Sequence, residues 1–169
     1  MDIANKFNDY FVNVGQTLAA TIPKNGPSYK TYLPALDYDD SIFITQTTDE
    51  EITKIIDKLN SNTPGHDEIS LADIKPVLNS LIIPLTYVTN LSLTQGVFPE
   101  ELKKAKIIPL YKANDPMLFS NYRPISLLPL FSKVLEKIMY NRIIKFINKH
   151  KILFKHQFGL ENIILITWL

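Results

Sequence analysis

The sequence predicts an α+β fold that is mostly helical and contains one small antiparallel β-hairpin sheet. Apolar residues recur at the three- and four-residue spacing of amphipathic helices in residues 3–22, 48–59 and 129–149. Two short apolar runs, 105–112 and 122–128, are separated by a polar loop, as in a hairpin. Hydrophobic residues make up 46% of the chain and charged residues 21%, which is typical of globular proteins.

Residues 1–47 are expected to form an N-terminal helix and a connector. The apolar residues of the predicted helix 3–22 occur at helical spacing: Ile3, Phe7, Tyr10, Phe11, Val14, Leu18 and Ile22. Residues 23–47 contain several Pro and Gly and the acidic run LDYDDS, which indicate a loop. The N-terminus lacks the basic start and long apolar stretch of a signal peptide, so none is expected.

The second predicted helix follows this connector and carries a start signal. Thr48 is the expected N-cap, and Glu51, three residues later, would complete a capping box. The segment TPGHDEIS then reads as a turn in which Gly65 supplies a positive φ and Asp67 an Asx turn.

The segment that begins at SLADIKP is predicted to be helical as far as Gly96. Pro76 and Pro84 should interrupt or kink it, and Gly96 should end it. The segment PEELKK, which begins at Pro99, is expected to form a short helical turn.

The predicted hairpin and the long helix after it also contain prolines. Pro109 and Pro124 favour edge positions or bulges for strands 105–112 and 122–128. Pro129 is expected to open a helix that runs to about residue 149. A polar stripe with four-residue spacing should face solvent on this helix: Lys133, Lys137, Asn141 and Lys145.

The charge distribution is strongly asymmetric, although the net charge is only +1. From Lys103 to Lys155 there are 12 Lys/Arg but only Asp115 and Glu136, a net charge of +10, whereas the remainder carries −9. Such an asymmetry favours contact of the basic region with a polyanion. The alternative is a solvated lysine-rich face that pairs with the acidic part of the chain.

Several kinds of site are excluded or disfavoured. The chain has no cysteine, so it forms neither disulfides nor a thiolate zinc site, which suits a reducing compartment. Its three histidines, His66, His150 and His156, are too scattered to suggest a metal site. The apolar run IILITWL is too short to span a bilayer, and no membrane association is expected.

Four sequence blocks occur in a characteristic order: NTPGHDEIS, QGVFPEELKKAKIIPLYK, NYRPISLLPLFSKVLEKIMYNRI and ILFKHQFG. Together they resemble the fingers region of reverse transcriptases of non-LTR retrotransposons, most closely the jockey-like group. IANKFNDYFVNVG is similar to the stretch that precedes the polymerase in those proteins. The resemblance implies that residues 48–159 form a fingers-like subdomain lacking the palm, and it leaves 160–169 as an atypical tail.

This resemblance implies that the chain is an N-terminal, fingers fragment of an RNA-directed DNA polymerase. Its partners would be an RNA template, a DNA primer and, in the full-length enzyme, a dNTP. The family enzyme is expected to use Mg²⁺ bound by palm aspartates. This chain lacks those aspartates, so it is not expected to catalyse polymerisation alone. An intracellular location, nuclear or cytoplasmic, is left open.

The resemblance assigns Lys112 and Arg123 to the triphosphate of the incoming dNTP. A guanidinium suits this role because its planar fork matches phosphate oxygens, and a hairpin can bring the two cations side by side. The alternative is that Arg123 caps a loop carbonyl and Lys112 is an ordinary surface lysine.

The resemblance also implies contacts with the template-primer. It assigns Asn62, Gly65 and Asp67 to the nucleic-acid backbone, and Gln157 and Gly159 to the neighbourhood of the templating base. The alternatives are a structural connector between helices for the first three and a helix terminus for the last two. The basic surface would be formed by Lys133, Lys137 and Lys145.

Two functions are therefore compatible with the sequence. The first is a fragment of a reverse transcriptase. The second is a non-catalytic nucleic-acid-binding or interaction relic of a decayed mobile element. The genomic sequence downstream distinguishes them, since a continuing frame with palm aspartates favours the first and stop codons favour the second.

Overall fold

The computed structural model describes residues 2–23, 26–32, 41–60 and 62–153. Gln157, Gly159 and the tail 160–169 lie outside the described residues. The contacts of the chain group it into two compact units, Met1–Ser41 with Ile107–Ile125, and Ile42–Lys106 with Ser126–Leu169. Each unit is described by itself.

The predicted α+β class is confirmed, because the described residues are 60% helical and contain one two-stranded antiparallel sheet. Its helices and strands are α1 (Ile3–Thr21), α2 (Asp49–Lys58), α3 (Leu71–Ile74), α4 (Leu78–Gln95), β1 (Lys106–Tyr111), β2 (Tyr122–Leu127) and α5 (Leu130–Lys149). Short 3₁₀ turns occur at Tyr29–Tyr32, Lys75–Val77, Glu100–Lys103 and Phe119–Asn121.

The first unit joins α1 to the hairpin through aromatic rings. The ring of Phe7 lies 4.8 Å from that of Phe119 and 4.9 Å from that of Tyr122, both edge to face. Tyr111 and Tyr122, on opposite strands, have ring centroids 5.5 Å apart. Each such pair contributes about 0.5–1.5 kcal/mol beyond the burial of its area. One face of the hairpin is therefore an aromatic packing surface.

The second unit contains the aliphatic core. Three isoleucines of α2 lie on one side of that helix and meet the start of α5 and the helices between them. Full burial of one such side chain contributes about 1.5–3 kcal/mol. The buried cluster comprises Ile52, Ile55, Ile56, Leu71, Ile74, Leu78, Leu130, Val134 and Ile138.

The start of α2 differs from the prediction. Thr48 is the N-cap and its hydroxyl accepts from the Glu51 backbone N–H at 3.3 Å, as expected. The Glu51 carboxylate, however, accepts from Arg142 instead of completing a capping box. A complete capping box forms at α3 instead, between Ser70 and Asp73.

The prolines of the central helical segment have different effects. Pro76 lies in the 3₁₀ turn between α3 and α4. Pro84, in contrast, lies inside α4, which continues unbroken on both sides of it. Gly96 ends α4 in the left-handed conformation, with φ 66°, as predicted. The stretch Leu71–Gln95 is long and apolar enough, by length and composition alone, to cross a bilayer, and 17% of an 18-residue stretch within it is buried inside the protein.

The turn after α2 also departs from its prediction. Gly65 does not have a positive φ; that conformation is adopted by Glu68, with φ 59°. Asp67 does form the expected Asx turn, with its Oδ1 accepting from the Ile69 N–H at 3.4 Å. The left-handed conformation of this turn thus occurs three residues later than predicted. It falls on Glu68, a residue whose side chain makes that conformation strained.

Candidate nucleic-acid interface

The hairpin places Lys112 and Arg123 on one face. The Lys112 N–H donates to the Asn121 carbonyl at 2.8 Å, and Tyr111 lies opposite Tyr122. This antiparallel register puts Leu110 opposite Arg123, and Lys112 lies two residues beyond Leu110 on the same side of its strand. Lys112 and Arg123 are therefore diagonal neighbours, and such pairs lie about 7–8 Å apart.

Both cations are exposed on this face. Among the described residues, neither side chain forms a hydrogen bond or an ion pair. The assignment of the two cations to a triphosphate stays a prediction, and so does the alternative in which Arg123 caps a loop carbonyl. The opposite face carries Tyr111 and Tyr122, and Tyr122 packs against Phe7 of α1.

The loop between β1 and β2 is held by its own residues. Asp115 accepts from the Met117 N–H at 2.8 Å through Oδ1. The Asn121 side-chain amide donates to the Asp115 carbonyl at 2.8 Å, and the Tyr122 hydroxyl donates to the Pro116 carbonyl at 2.9 Å. These bonds fix the loop and thereby the ends of the strands that carry the two cations.

The three candidate residues of the turn after α2 all take part in local structure. Asn62 accepts from the Ala72 N–H at 2.9 Å, which caps the start of α3. Gly65 is buried, and a Cβ there would lie 2.5 Å from the Pro129 nitrogen. Asp67 forms the Asx turn described above. These contacts explain the residues structurally, and their assignment to template-primer contact stays a prediction.

The lysines of α5 differ in their surroundings. Lys145 is exposed, as predicted. Lys137 is half-buried, with its Nζ 4.4 Å from the centre of the Tyr140 ring. Lys133 is also half-buried and donates to the Thr63 carbonyl at 3.5 Å in a hydrogen bond that lies at the exposed surface. Burial lowers the pKa of Lys133, and the nearby Asp67 carboxylate opposes this effect.

Arg142 is a structural residue that the sequence analysis missed. Its guanidinium binds the Glu51 carboxylate with both terminal nitrogens, one of these bonds being 2.6 Å long. It also donates to the backbone carbonyls of Thr45 at 3.2 Å and Gln46 at 3.1 Å. One signal could have revealed it: Arg142 follows the buried Ile138 by four residues, on the apolar side of α5.

The segment bound by Arg142 is also hydrogen-bonded to α4. The Thr47 N–H donates to the Asn90 side-chain oxygen at 2.7 Å, and the Asn90 amide donates back to the Thr47 carbonyl at 3.0 Å. The hydrogen bond from Arg142 is the main cause that lowers the pKa of Glu51. The extended segment before α2 is thus tied to both α4 and α5.

Glu136 on α5 has the opposite electrostatic situation. It is half-buried, its Oε2 is shielded and accepts no hydrogen bond from any described residue, and burial raises its pKa to about 7. Because the folded protein holds this proton more tightly than the unfolded chain, stability should fall as the pH rises from the ordinary carboxyl range through 7.

We therefore expect Glu136→Gln to stabilise the protein at pH 8 by about 1 kcal/mol, a value reduced for solvent screening of a half-exposed group. Below the ordinary carboxyl pKa the two proteins should melt alike, since Glu136 is then protonated in both states. Thermal melts between pH 4 and 8 measure this difference. An equal offset at every pH would show that packing, not the charge, is responsible.

The described residues do not fit a catalytic magnesium site. Among them, no three His, Asp or Glu side chains lie close enough together to hold a metal ion. The acids that might have contributed are engaged elsewhere: Glu51 binds Arg142, Asp73 caps α3, and Asp115 holds the hairpin loop. No catalytic step through a metal is assigned to these residues.

Comparison with known proteins supplies relatives, although no protein-family model matches the chain. It is 36% identical over 106 residues to the probable RNA-directed DNA polymerase from transposon X-element of Drosophila melanogaster, covering 62% of the chain and 12% of that protein. It is 32% identical over 121 residues to the RNA-directed DNA polymerase from mobile element jockey of the same organism, covering 70% of the chain and 13% of that protein. The chain thus matches only about an eighth of the length of these relatives.

Proposed function

We propose that this chain, which is related to the RNA-directed DNA polymerases of jockey-like non-LTR retrotransposons, is a fragment of such a polymerase and forms its fingers region. The fragment would hold the template-primer and the triphosphate of the incoming dNTP. We do not propose that it polymerises DNA by itself, because the resemblance assigns the metal ions of nucleotidyl transfer to palm aspartates and not to the fingers region.

The observation that carries this proposal is the pair of exposed cations on the hairpin face. Exposed arginines in folded proteins commonly meet a carboxylate, a carbonyl or an aromatic face, yet Arg123 meets no such partner among the described residues. The planar guanidinium of Arg123 is therefore available for a bidentate contact with phosphate oxygens. Lys112, the diagonal neighbour, would add a second positive charge to the same anion.

The basic segment of the chain supports the template-primer part of the proposal. The lysines of α5 belong to the segment with a net charge of +10, and Lys145 is exposed to solvent. Phosphate contacts from such lysines position a duplex without reading its sequence. We further propose that the turn containing Asn62, Gly65 and Asp67 lies against the sugar-phosphate backbone of the template-primer.

The hairpin assignment can be tested by NMR, because the chain contains only two arginines, Arg123 and Arg142. Titration with dTTP should shift the Nε–H signal of Arg123 and leave that of Arg142, which is engaged with Glu51, in place. Thymidine without phosphates should shift neither signal. No response of Arg123 to dTTP, or an equal response to thymidine, would contradict the assignment.

A further inference from the structure

A groove of about 650 Å³ lies between α2 and α5 in the second unit. Its volume falls within the range of about 300–1,000 Å³ that is typical of small-ligand sites. Ile55 of α2 and Leu59, which directly follows that helix, give it an apolar part, and Tyr140 of α5 adds an aromatic ring. Four lysines, two from each helix, also line it: Lys54, Lys58, Lys133 and Lys137.

The charges of this groove favour an anion. Three carboxylates line it, Glu50, Glu51 and Glu136, but the charge of Glu51 is already balanced by Arg142. Burial favours the protonated, neutral form of Glu136. The four lysines therefore outweigh the remaining negative charge. Lys54 and Lys58 are notable because they lie outside the basic segment of the sequence.

The aromatic part of the groove favours a ligand with a flat ring. Lys137 already lies 4.4 Å from the centre of the Tyr140 ring. Nucleobases stack on such rings, and the stacking tolerates any base because every base has a π-face. The Lys137 ammonium lies over one face of this ring, so a base that stacks on that face would displace it, and the displaced cation would then be free to meet the phosphate.

We propose that this groove binds one nucleotide of a single-stranded stretch of nucleic acid, with its phosphate among the lysines and its base against Tyr140. This inference rests on the proposed function, because the single strand would be the template that extends beyond the template-primer duplex. Glu136 would face the edge of the base, where an exocyclic amino group can donate to its carboxylate oxygen.

An acidic peptide is the main competing occupant, since it could also satisfy the lysines. It would, however, bring carboxylates close to Glu50, which lines the same groove, and like charges in a groove repel each other. It would also leave Tyr140 without the flat partner that a base provides. The mixture of cations, one ring and a protonatable carboxyl thus fits a nucleotide better than an acidic peptide.

The test compares two fluorescent probes by anisotropy: a blunt RNA–DNA duplex and the same duplex with a single-stranded oligoadenylate extension of the template. The wild-type protein should bind the extended probe more tightly. Tyr140→Leu should remove about 5- to 150-fold of affinity from the extended probe and leave the blunt duplex unaffected. Tyr140→Phe, which keeps the ring, should behave like the wild type.

The lysines of α2 are tested by the pair Lys54→Gln and Lys58→Gln. Together they should reduce the salt dependence of binding to the extended probe by about 0.7 in logarithmic slope for each phosphate that the protein no longer binds. The matched control is the pair Lys30→Gln and Lys75→Gln, which removes the same charge from exposed positions outside the groove. Circular dichroism should show an unchanged fold for every variant.

The outcomes are distinguishable. If the wild type binds neither probe, the proposed function itself is wrong. If it binds both probes equally, or if the groove variants weaken both probes equally, the duplex is bound but the groove does not take the single strand. Displacement of the extended probe by oligoglutamate at matched charge, but not by oligoadenylate, would assign the groove to a protein partner and overturn the inference.

Discussion

Arg142→Ala should destabilise the protein by about 2–4 kcal/mol, one of the largest effects expected of any single substitution in this chain. The variant loses the bidentate contact with Glu51 and both backbone contacts at Thr45 and Gln46. The side chains of Arg142 and Glu51 are only 12% and 28% exposed, so the remaining carboxylate would stay largely desolvated without its partner. Urea unfolding measures the loss.

Lys145→Ala on the same helix is the matched control, because it removes one exposed cation and should change the stability by less than about 0.5 kcal/mol. A pH series provides a second check. The pKa of Glu51 is lowered in the folded protein, so its contribution is present above the ordinary carboxyl pKa and is lost on acidification. Arg142→Ala should weaken that acid sensitivity. Equal stability of Arg142→Ala and Lys145→Ala would contradict a stabilising role for the contacts of Arg142.

Gly65→Ala should cost about 2–3 kcal/mol or more, because its new methyl group meets backbone atoms that cannot rotate away. The added Cβ would lie 2.5 Å from the Pro129 nitrogen and 2.8 Å from the Leu128 carbonyl carbon. To relieve this overlap, the turn would have to move away from the start of α5. Thermal melting should show a clearly lower transition temperature.

Gly15→Ala is a control of opposite sign. Gly15 lies inside α1, nothing lies within 4 Å of its added Cβ, and alanine is preferred over glycine in a helix by about 0.5–1 kcal/mol. This control should be neutral or stabilising. If Gly65→Ala were as harmless as Gly15→Ala but weakened duplex binding, Gly65 would serve nucleic-acid contact and not packing.

The elements of the fold could be predicted because they depend on local patterns. The helical spacing of Ile52, Ile55 and Ile56 identifies α2, and the polar loop between two apolar runs identifies the hairpin. What could not be predicted depends on partners distant in sequence. Glu51 looked like the second half of a capping box, yet Arg142, 91 residues away, is a stronger partner for its carboxylate.

The site was predicted only in part for the same reason. The hairpin brings Lys112 and Arg123 to one face, as its loop length and register require. Gly65 looked like a residue chosen for a positive φ, but its small size matters instead, because the chain at Pro129 passes so close. The groove between α2 and α5 was not predicted. Lys54 and Lys58 lie in an acidic segment of the sequence, and only folding brings them to the same groove as the lysines of α5.

Binding of a template-primer duplex as a function of salt tests the central claim most directly. The affinity of the wild type should fall with salt by a logarithmic slope of about 0.9 for each phosphate contact. Replacing Lys133, Lys137 and Lys145 by Glu should lower both the affinity and the slope. Replacing Lys6, Lys30 and Lys75 by Glu, the same charge change at exposed positions outside the basic segment, should have a much smaller effect. Binding that ignores salt, or that responds equally to both triple variants, would contradict a nucleic-acid surface on α5.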